Sequence, residues 1–263
     1  MAVIQNGLSL LRRSMPTSLK RYINKRLRLD PLTVSREQAE RFFSGENEVA
    51  TAAIARMLPQ GSVVFDIGAN SGFFTWELCR QSKNSLTVTL FEPIPNLIRI
   101  AKEVVTDFPD CEFDFVNAAM GDASGEISLF IPNDGNIGWI TSIAEKATSQ
   151  DTIEVALLNI GPFLNERKPN FIKIDVEGAE APILERIQDL ISASYRPIIL
   201  VEVAWGGTAS TTWHRTLSAL TRLAANGYEF TTLDHATETF SRLWHIDEVA
   251  ALDRTQDFLL KPE

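Results

Sequence analysis

Cysteine and histidine are scarce in this chain of 263 residues, with two of the former, Cys79 and Cys111, and three of the latter, His214, His235 and His245. Neither set has the close spacing that metal ligands require, so no cysteine or histidine metal cluster is expected. Cys79 sits among apolar helical positions and reads as core, and a reducing cytosol suits both thiols. No run of 18 apolar residues occurs, so no membrane-spanning helix is expected. The apolar stretch before Arg12 is short and lacks a basic lead, which argues against a secretory signal. Repeats and low-complexity linkers are missing too. What is present is ordinary for a globular protein, 44% hydrophobic and 22% charged residues, enough for one α/β domain with additions.

Charge is unevenly placed. The net charge is −9, yet residues 1–30 hold seven basic residues against the single acid Asp30. The remainder carries 18 basic and 33 acidic residues. A body that acidic suits nucleic acid poorly and points to a neutral or small substrate in the cytoplasm. The basic head has three readings: a solvated amphipathic helix, a helix for a membrane surface or protein partner, and an organelle transit peptide. The division expected is a basic segment with a helical lead-in over residues 1–60, then one domain over 61–263. In the lead-in, Ser35 with Gln38 resembles a capping box, and a second helical pattern runs from Glu48 to Leu58 before Pro59 and Gly61. Such helices can cover a ligand pocket, although packing on the sheet is the simpler expectation.

The rest is organised around one stretch, from Val63 to Phe74. Apolar residues up to Phe65, then Asp66, then Gly68 and Gly72 spaced around Asn70, then apolar helical positions, read as strand, tight turn and helix. This is the opening unit of a doubly wound α/β domain, where ligands sit beyond the carboxyl ends of the strands. The Gly-x-Gly-x-x-Gly fingerprint of pyrophosphate cofactors is missing. Asp66 is instead placed to face a cationic group, and Glu92 closes the next apolar run, Leu86 to Phe91. An acid there can accept both ribose hydroxyl protons. An amino acid head, a ribose and an adenine without pyrophosphate describe S-adenosylmethionine (SAM).

A helix is expected from about Leu97 to Thr106, and a third strand from Glu112 to Val116. The corner after it lets Asn117 either hydrogen-bond the adenine or merely shape a turn. Strand-like runs at Glu126 to Ile131, Ile137 to Ile143 and Thr152 to Leu158 form an insertion. The strand Phe171 to Ile174 then ends in Asp175, and the apolar strand from Pro197 to Val203 carries Glu202. Ser210 caps a helix closed by Asn226 and Gly227, and two last strands fall at Tyr228 to Leu233 and Asp257 to Leu260.

Asp66, Asp175 and Glu202 thus meet at one sheet edge, with His214 in the first turn of the helix that follows. Methyl transfer from a sulfonium needs donor and acceptor in contact and a group to take the acceptor's proton. Asp175, Glu202 and His214 are the candidates, and carboxylates there could also hold a divalent metal. Asp175 could alternatively cap a helix, and Glu177 either contacts substrate or sits at a helix N-terminus where acids are stabilised. Glu202 would be costly to bury alone, so it pairs with a cation such as Lys173 or faces the pocket. Trp139 and Trp205 either line that pocket or pack in the core.

Asp66-Ile67-Gly68-Ala69-Asn70-Ser71-Gly72, Phe91-Glu92-Pro93 and the block from Phe171 to Glu180 together resemble the FkbM family of SAM-dependent methyltransferases. The resemblance runs from Glu48 to Val203, with Gly138 to Ser142 similar to the family's inserted hairpin. It implies a class I methyltransferase (Rossmann-like) α/β fold with a seven-stranded sheet, order 3-2-1-4-5-7-6, the last strand antiparallel. It also implies methylation of a hydroxyl on a sugar, polyketide or other secondary metabolite. The family's SAM loop falls on Asp66, Gly68, Asn70 and Gly72, its ribose acid on Glu92, and its fourth-strand acid on Asp175 with Glu177 following. One departure is Asn159 after Leu158, where the family often has Asp. Asp-Val-Glu-Gly after the fourth strand is unlike the Asn-Pro-Pro-aromatic of base and amide methylases. The competing readings are a methyltransferase acting on a macromolecule, a SAM-binding scaffold docked through its basic head and, more remotely, a nicotinamide oxidoreductase.

Overall fold

The computed structural model describes residues 30–131, 152–203 and 210–263. The basic head before residue 30, the expected strand at 137–143 with its hairpin, Trp139 and Trp205 lie outside them. Two short helices lead in, α1 (Arg36–Phe43) and α2 (Glu48–Ala55), and the capping box expected at Ser35 and Gln38 is formed. Then come β1 (Ser62–Ile67), α3 (Phe73–Gln81), β2 (Leu86–Phe91), α4 (Pro95–Val104) and β3 (Glu112–Val116). A small insertion follows, β4 (Ala119–Gly121), β5 (Gly125–Phe130) and β6 (Thr152–Asn159). The chain returns through α5 (Gly161–Arg167), β7 (Phe171–Ile174), α6 (Glu180–Gln188), β8 (Ile198–Val203) and α7 (Thr211–Ala225). It finishes with β9 (Tyr228–Asp234), β10 (Thr239–Trp244), α8 (Ile246–Ala250) and β11 (Gln256–Pro262).

The main sheet runs β3-β2-β1-β7-β8-β11-β9-β10. Its first seven strands reproduce the expected order 3-2-1-4-5-7-6, with β11 antiparallel to both neighbours. The eighth, β10, corrects the expected seven. It is an edge strand, mostly exposed and bulged between Phe240 and Arg242, so it lacks the apolar alternation by which a strand is recognised. α5 and α8 also escape the sequence reading, being too short for a helical period to show. The insertion is a separate sheet of order β4-β6-β5, in which β5 and β6 pair antiparallel.

Alternation along the parallel strands sorts two cores. Phe65, Ile67, Ile172 and Ile174 pack towards α6 and α7. Val64, Phe171 and Leu200 face the other way, towards Ile54 of α2 and Leu78 of α3. Asp66 follows Val64 on that second face, and Lys173 lies beside it in register across β1 and β7. The same register logic sets Glu202 of β8 beside Asp257 of β11. Four charged groups therefore end one apolar face at the carboxyl edge. A third cluster, including Val34, Ile94, Leu97, Leu129 and Val155, joins α1, α4 and the small sheet.

The turn after β1 is held by close backbone approach. Gly68 is left-handed at φ +80, and a Cβ there would lie 1.8 Å from the Asp175 carbonyl oxygen. Gly61 is left-handed too, at φ +74, yet has nothing within 4 Å. Gly61→Ala should therefore cost only backbone strain, about 1 kcal/mol. Gly68→Ala should cost more than about 3 kcal/mol, because backbone atoms must move. Urea unfolding of both variants checks this, and equal losses would show that the β1 turn yields freely.

Candidate active site at the carboxyl edge

Beyond β1 and β2 the turn residues are fixed by the backbone. The Gly68 and Ala69 amides both donate to the Phe91 carbonyl at 3.0 Å. Asn70 takes a left-handed φ of 51, which asparagine tolerates better than most side chains. Its amide donates to Glu92 Oε2 at 2.9 Å, and the Ile94 amide donates to Oε1 at 2.8 Å. Glu92 is only 5% exposed and borders the cleft. Burial pushes its carboxyl up to about 7, against the pull of those two amides. Each oxygen keeps acceptor capacity beyond its one amide, which is what a ribose diol needs.

Three residues expected at the cofactor stand elsewhere. Asp66 does face a cation, but an internal one: it is fully buried, with Oδ2 accepting from Thr75 Oγ1 at 2.6 Å and Oδ1 lying 3.4 Å from Lys173 Nζ. It supports the turn from beneath and does not line the cleft. Gly72 serves helix packing, since a Cβ there would fall 2.9 Å from Ala101 Cα of α4. Asn117 is exposed, and its side-chain amide donates to the carbonyls of Glu92 and Pro93. That is the turn-shaping role, and Ala118, Ala119 and Met120 line the cleft at this corner instead.

Lys173 joins the two halves of the site. Its ammonium sits 3.0 Å from Asp175 Oδ2 and 3.4 Å from Asp66 Oδ1, and it donates to the Gly68 carbonyl at 3.1 Å. Burial opposes its charge, but Asp175 and Asp66 outweigh that and hold its pKa above the usual lysine value. Lys173 thus pairs with these two acids and not with Glu202, so of the two alternatives for Glu202 the structure shows the pocket-facing one. Asp175 does not cap α6, whose N-cap is Ala179. The turn between β7 and α6 is instead tied by Glu180, whose Oε1 accepts the Gly178 amide at 2.6 Å.

Asp175, Glu177, Glu202 and Asp257 all line the cleft. Carboxylate oxygens of the first three lie within 4.8 Å of one another, a spacing that could hold a divalent cation among the described residues. Burial, then the negative charge of Asp175, Glu177 and Asp257, pushes Glu202 up to about 10. Asp257 opens to water in the cleft, yet enough protein surrounds it that its carboxyl stands raised to about 6. The fourth expected member is absent: His214 is exposed on α7 and does not border the cleft, so its catalytic assignment is corrected. The helix opens at the right strand but turns this side chain outward.

The cleft measures about 1500 Å³ and is roofed by the lead-in helices, from Phe42 to Arg56. The connector between α1 and α2 is held by Glu77, a fully buried acid of α3 whose oxygens accept the amides of Gly45 and Asn47. Arg56 reaches the β9–β10 hairpin, donating to the Glu238 carbonyl at 2.9 Å. Sequence reasoning missed Glu77 and Asp257. An acid at a buried helical position was the available signal for Glu77, and Asp257 showed only once β11 was paired with β8. Asn159, the departure from the expected Asp, still accepts the Gly161 amide at 2.8 Å at the start of α5.

A family model described as the methyltransferase FkbM domain matches residues 66–230. No curated protein sequence matches. Among solved structures, an O-methyltransferase from Bacillus cereus in complex with SAH shares 13% identity, covering 94% of this chain and 91% of that one, with a TM-score of 0.46. The O-methyltransferase TomG from Streptomyces achromogenes shares 12%, covering 94% and 96%, also at 0.46. A putative rRNA methylase from Clostridium thermocellum shares 11%, covering 88% and 99%, again at 0.46.

The raised Glu202 carboxyl has a stability consequence of definite sign. Its folded pKa, about 10, lies above the ordinary value of 4.5. The stability it contributes is therefore complete below pH 4.5 and is lost as pH rises towards 10. Glutamine carries no such loss. Glu202→Gln should gain on the wild type between about pH 5 and pH 8, by on the order of 2 kcal/mol. Thermal unfolding across that range measures it, and a pH-independent gap would place a countercharge beside Glu202.

Proposed function

The chain belongs to the FkbM methyltransferase family, and from that premise we propose that it moves the methyl group of SAM to a hydroxyl on a small molecule. The observation that carries this reading is Asp175, a carboxylate open to the same cleft as Glu92 and oriented by Lys173. The sulfonium nucleoside supplies an electrophilic methyl group. The residues present fit it: Glu92 retains acceptor sites for two ribose hydroxyls, and the acid-lined cleft favours a cationic ligand. The same acids disfavour a nucleic-acid acceptor.

Asp175 takes the proton that the acceptor oxygen loses as its new bond forms. It need not be a strong base, because an alkylated hydroxyl is far more acidic than a carboxylic acid. What it must have is position, and the Lys173 ammonium at 3.0 Å provides that. Glu202, pushed up to about 10, enters a neutral-pH reaction already protonated and so acts as a hydrogen-bond donor to the acceptor. Glu177 stands beside both on a left-handed turn and contacts the substrate. A divalent cation held by Asp175, Glu177 and Glu202 would acidify the hydroxyl, and assays with and without a chelator distinguish the two modes.

Two variants test the division of labour. Glu92→Ala should weaken SAM binding at least about tenfold in calorimetry while unfolding stays cooperative. Asp175→Asn should keep SAM affinity within about threefold yet lose turnover by roughly 10²-fold, read as labelled methyl passed to hydroxylated metabolites. Full turnover in Asp175→Asn would remove this carboxylate from the chemistry. A wild-type protein that binds SAM and labels no acceptor would favour the scaffold reading.

A further inference from the structure

Cys79 and Cys111 are far apart in sequence but meet in the fold. Cys79 lies in the last turn of α3 and is buried, while Cys111 directly precedes β3 and is partly exposed. Their thiols are in hydrogen-bonding contact, and both pack in the apolar cluster between α3 and the sheet. The Leu86 amide, at the start of β2, also bonds the Cys111 sulfur. Neither cysteine borders the cleft, which opens at the other end of these strands.

We propose that Cys79 and Cys111 form a dithiol that a peroxide closes to an intramolecular disulfide, fastening the end of α3 to the start of β3. The exposures assign the roles. Cys111 is the thiol a small oxidant can reach, and Cys79, enclosed behind it, is the resolving partner. The hydrogen bond from Cys79 draws the Cys111 thiol below its ordinary value, which favours the thiolate that attacks. The same contact, with burial, keeps Cys79 protonated. The Cys111 thiolate attacks one peroxide oxygen, forming a sulfenic acid and releasing hydroxide. The Cys79 sulfur then attacks Cys111, the S–OH bond breaks, and hydroxide leaves with the Cys79 proton as water. Two thiols give up two electrons and the peroxide O–O bond takes them up.

The closed bond would enclose all of β2, Glu92 and α4, the segment that carries the ribose acid, in a loop that restricts the unfolded chain. The full chain treated with hydrogen peroxide provides the test. Expected are loss of both titratable thiols, a mass decrease of about 2 Da with no added oxygen, a Cys79–Cys111 peptide pair reversed by dithiothreitol, and a higher unfolding midpoint. Cys79→Ser should abolish the mass decrease and leave a Cys111 sulfenic acid that dimedone traps. Survival of both thiols, or oxidation of Cys111 to the sulfinic acid with Cys79 still free, would overturn the proposal. So would a disulfide found only between two chains.

Discussion

The site depends on one buried ammonium. Lys173 lies 8% exposed between Asp66 of β1 and Asp175 at the end of β7, with its ammonium 5.4 Å from the centre of the Phe74 ring. A lone charge there would be costly, and a lone carboxylate at Asp66 equally so. Together they are compensated, and the ammonium also takes the Gly68 carbonyl. The strand that ends in Asp175 and the turn after β1 are thereby fixed to one atom. Removing a single member would strand the others, which is far more damaging than never having had the group.

That arrangement uses up the positive charge available to the cleft floor. Lys173 satisfies Asp66 and Asp175, so Glu202 and Asp257, side by side across β8 and β11, face the opening with no cation between them among the described residues. Burial, then neighbouring negative charge, keeps Glu202 neutral at physiological pH. In the proposed reaction this raised carboxyl is the hydrogen-bond donor of the floor, beside Asp175 as the proton acceptor. A cation arriving in the cleft would shift that balance towards ionised Glu202, so proton release would accompany its binding.

Much of this was legible in the chain because strand ends are legible. Asp66, Glu92 and Asp175 each close an apolar run, while the sheet order was implied by the family resemblance and not by the runs themselves. What the strand pattern did not reveal was where each side chain is directed once the strands pair. Asp66 was read as touching the ligand because it ends a strand, but alternation sends it to the inner face, where Thr75 and Lys173 complete its bonds. His214 failed for the same kind of reason: the helix start was placed correctly while its rotation about the axis was not. β10 was invisible because an exposed, bulged edge strand needs no apolar face. Asn117 was an open alternative, and only the hydrogen bonds to Glu92 and Pro93 decide it for the turn.

The roof of the cleft is a different problem, since its placement is not written in any strand. α1 and α2 would ordinarily be expected to rest on the sheet, and α2 does so through Ile54 and Ala55. The connector between them is carried over the opening because Glu77 reaches out of α3 to take the Gly45 and Asn47 amides. Burial raises this carboxyl to about 7, so near neutrality its charge is only just maintained. The amides that stabilise the ionised form are the same amides that position the connector. Charge on Glu77 and this placement of the connector therefore favour one another, and the turn after β1 lies at the start of the helix that bears it. One helix thus carries the turn after β1 at its start and the anchor of the roof in its middle, so both walls of the cleft are tied to the same element.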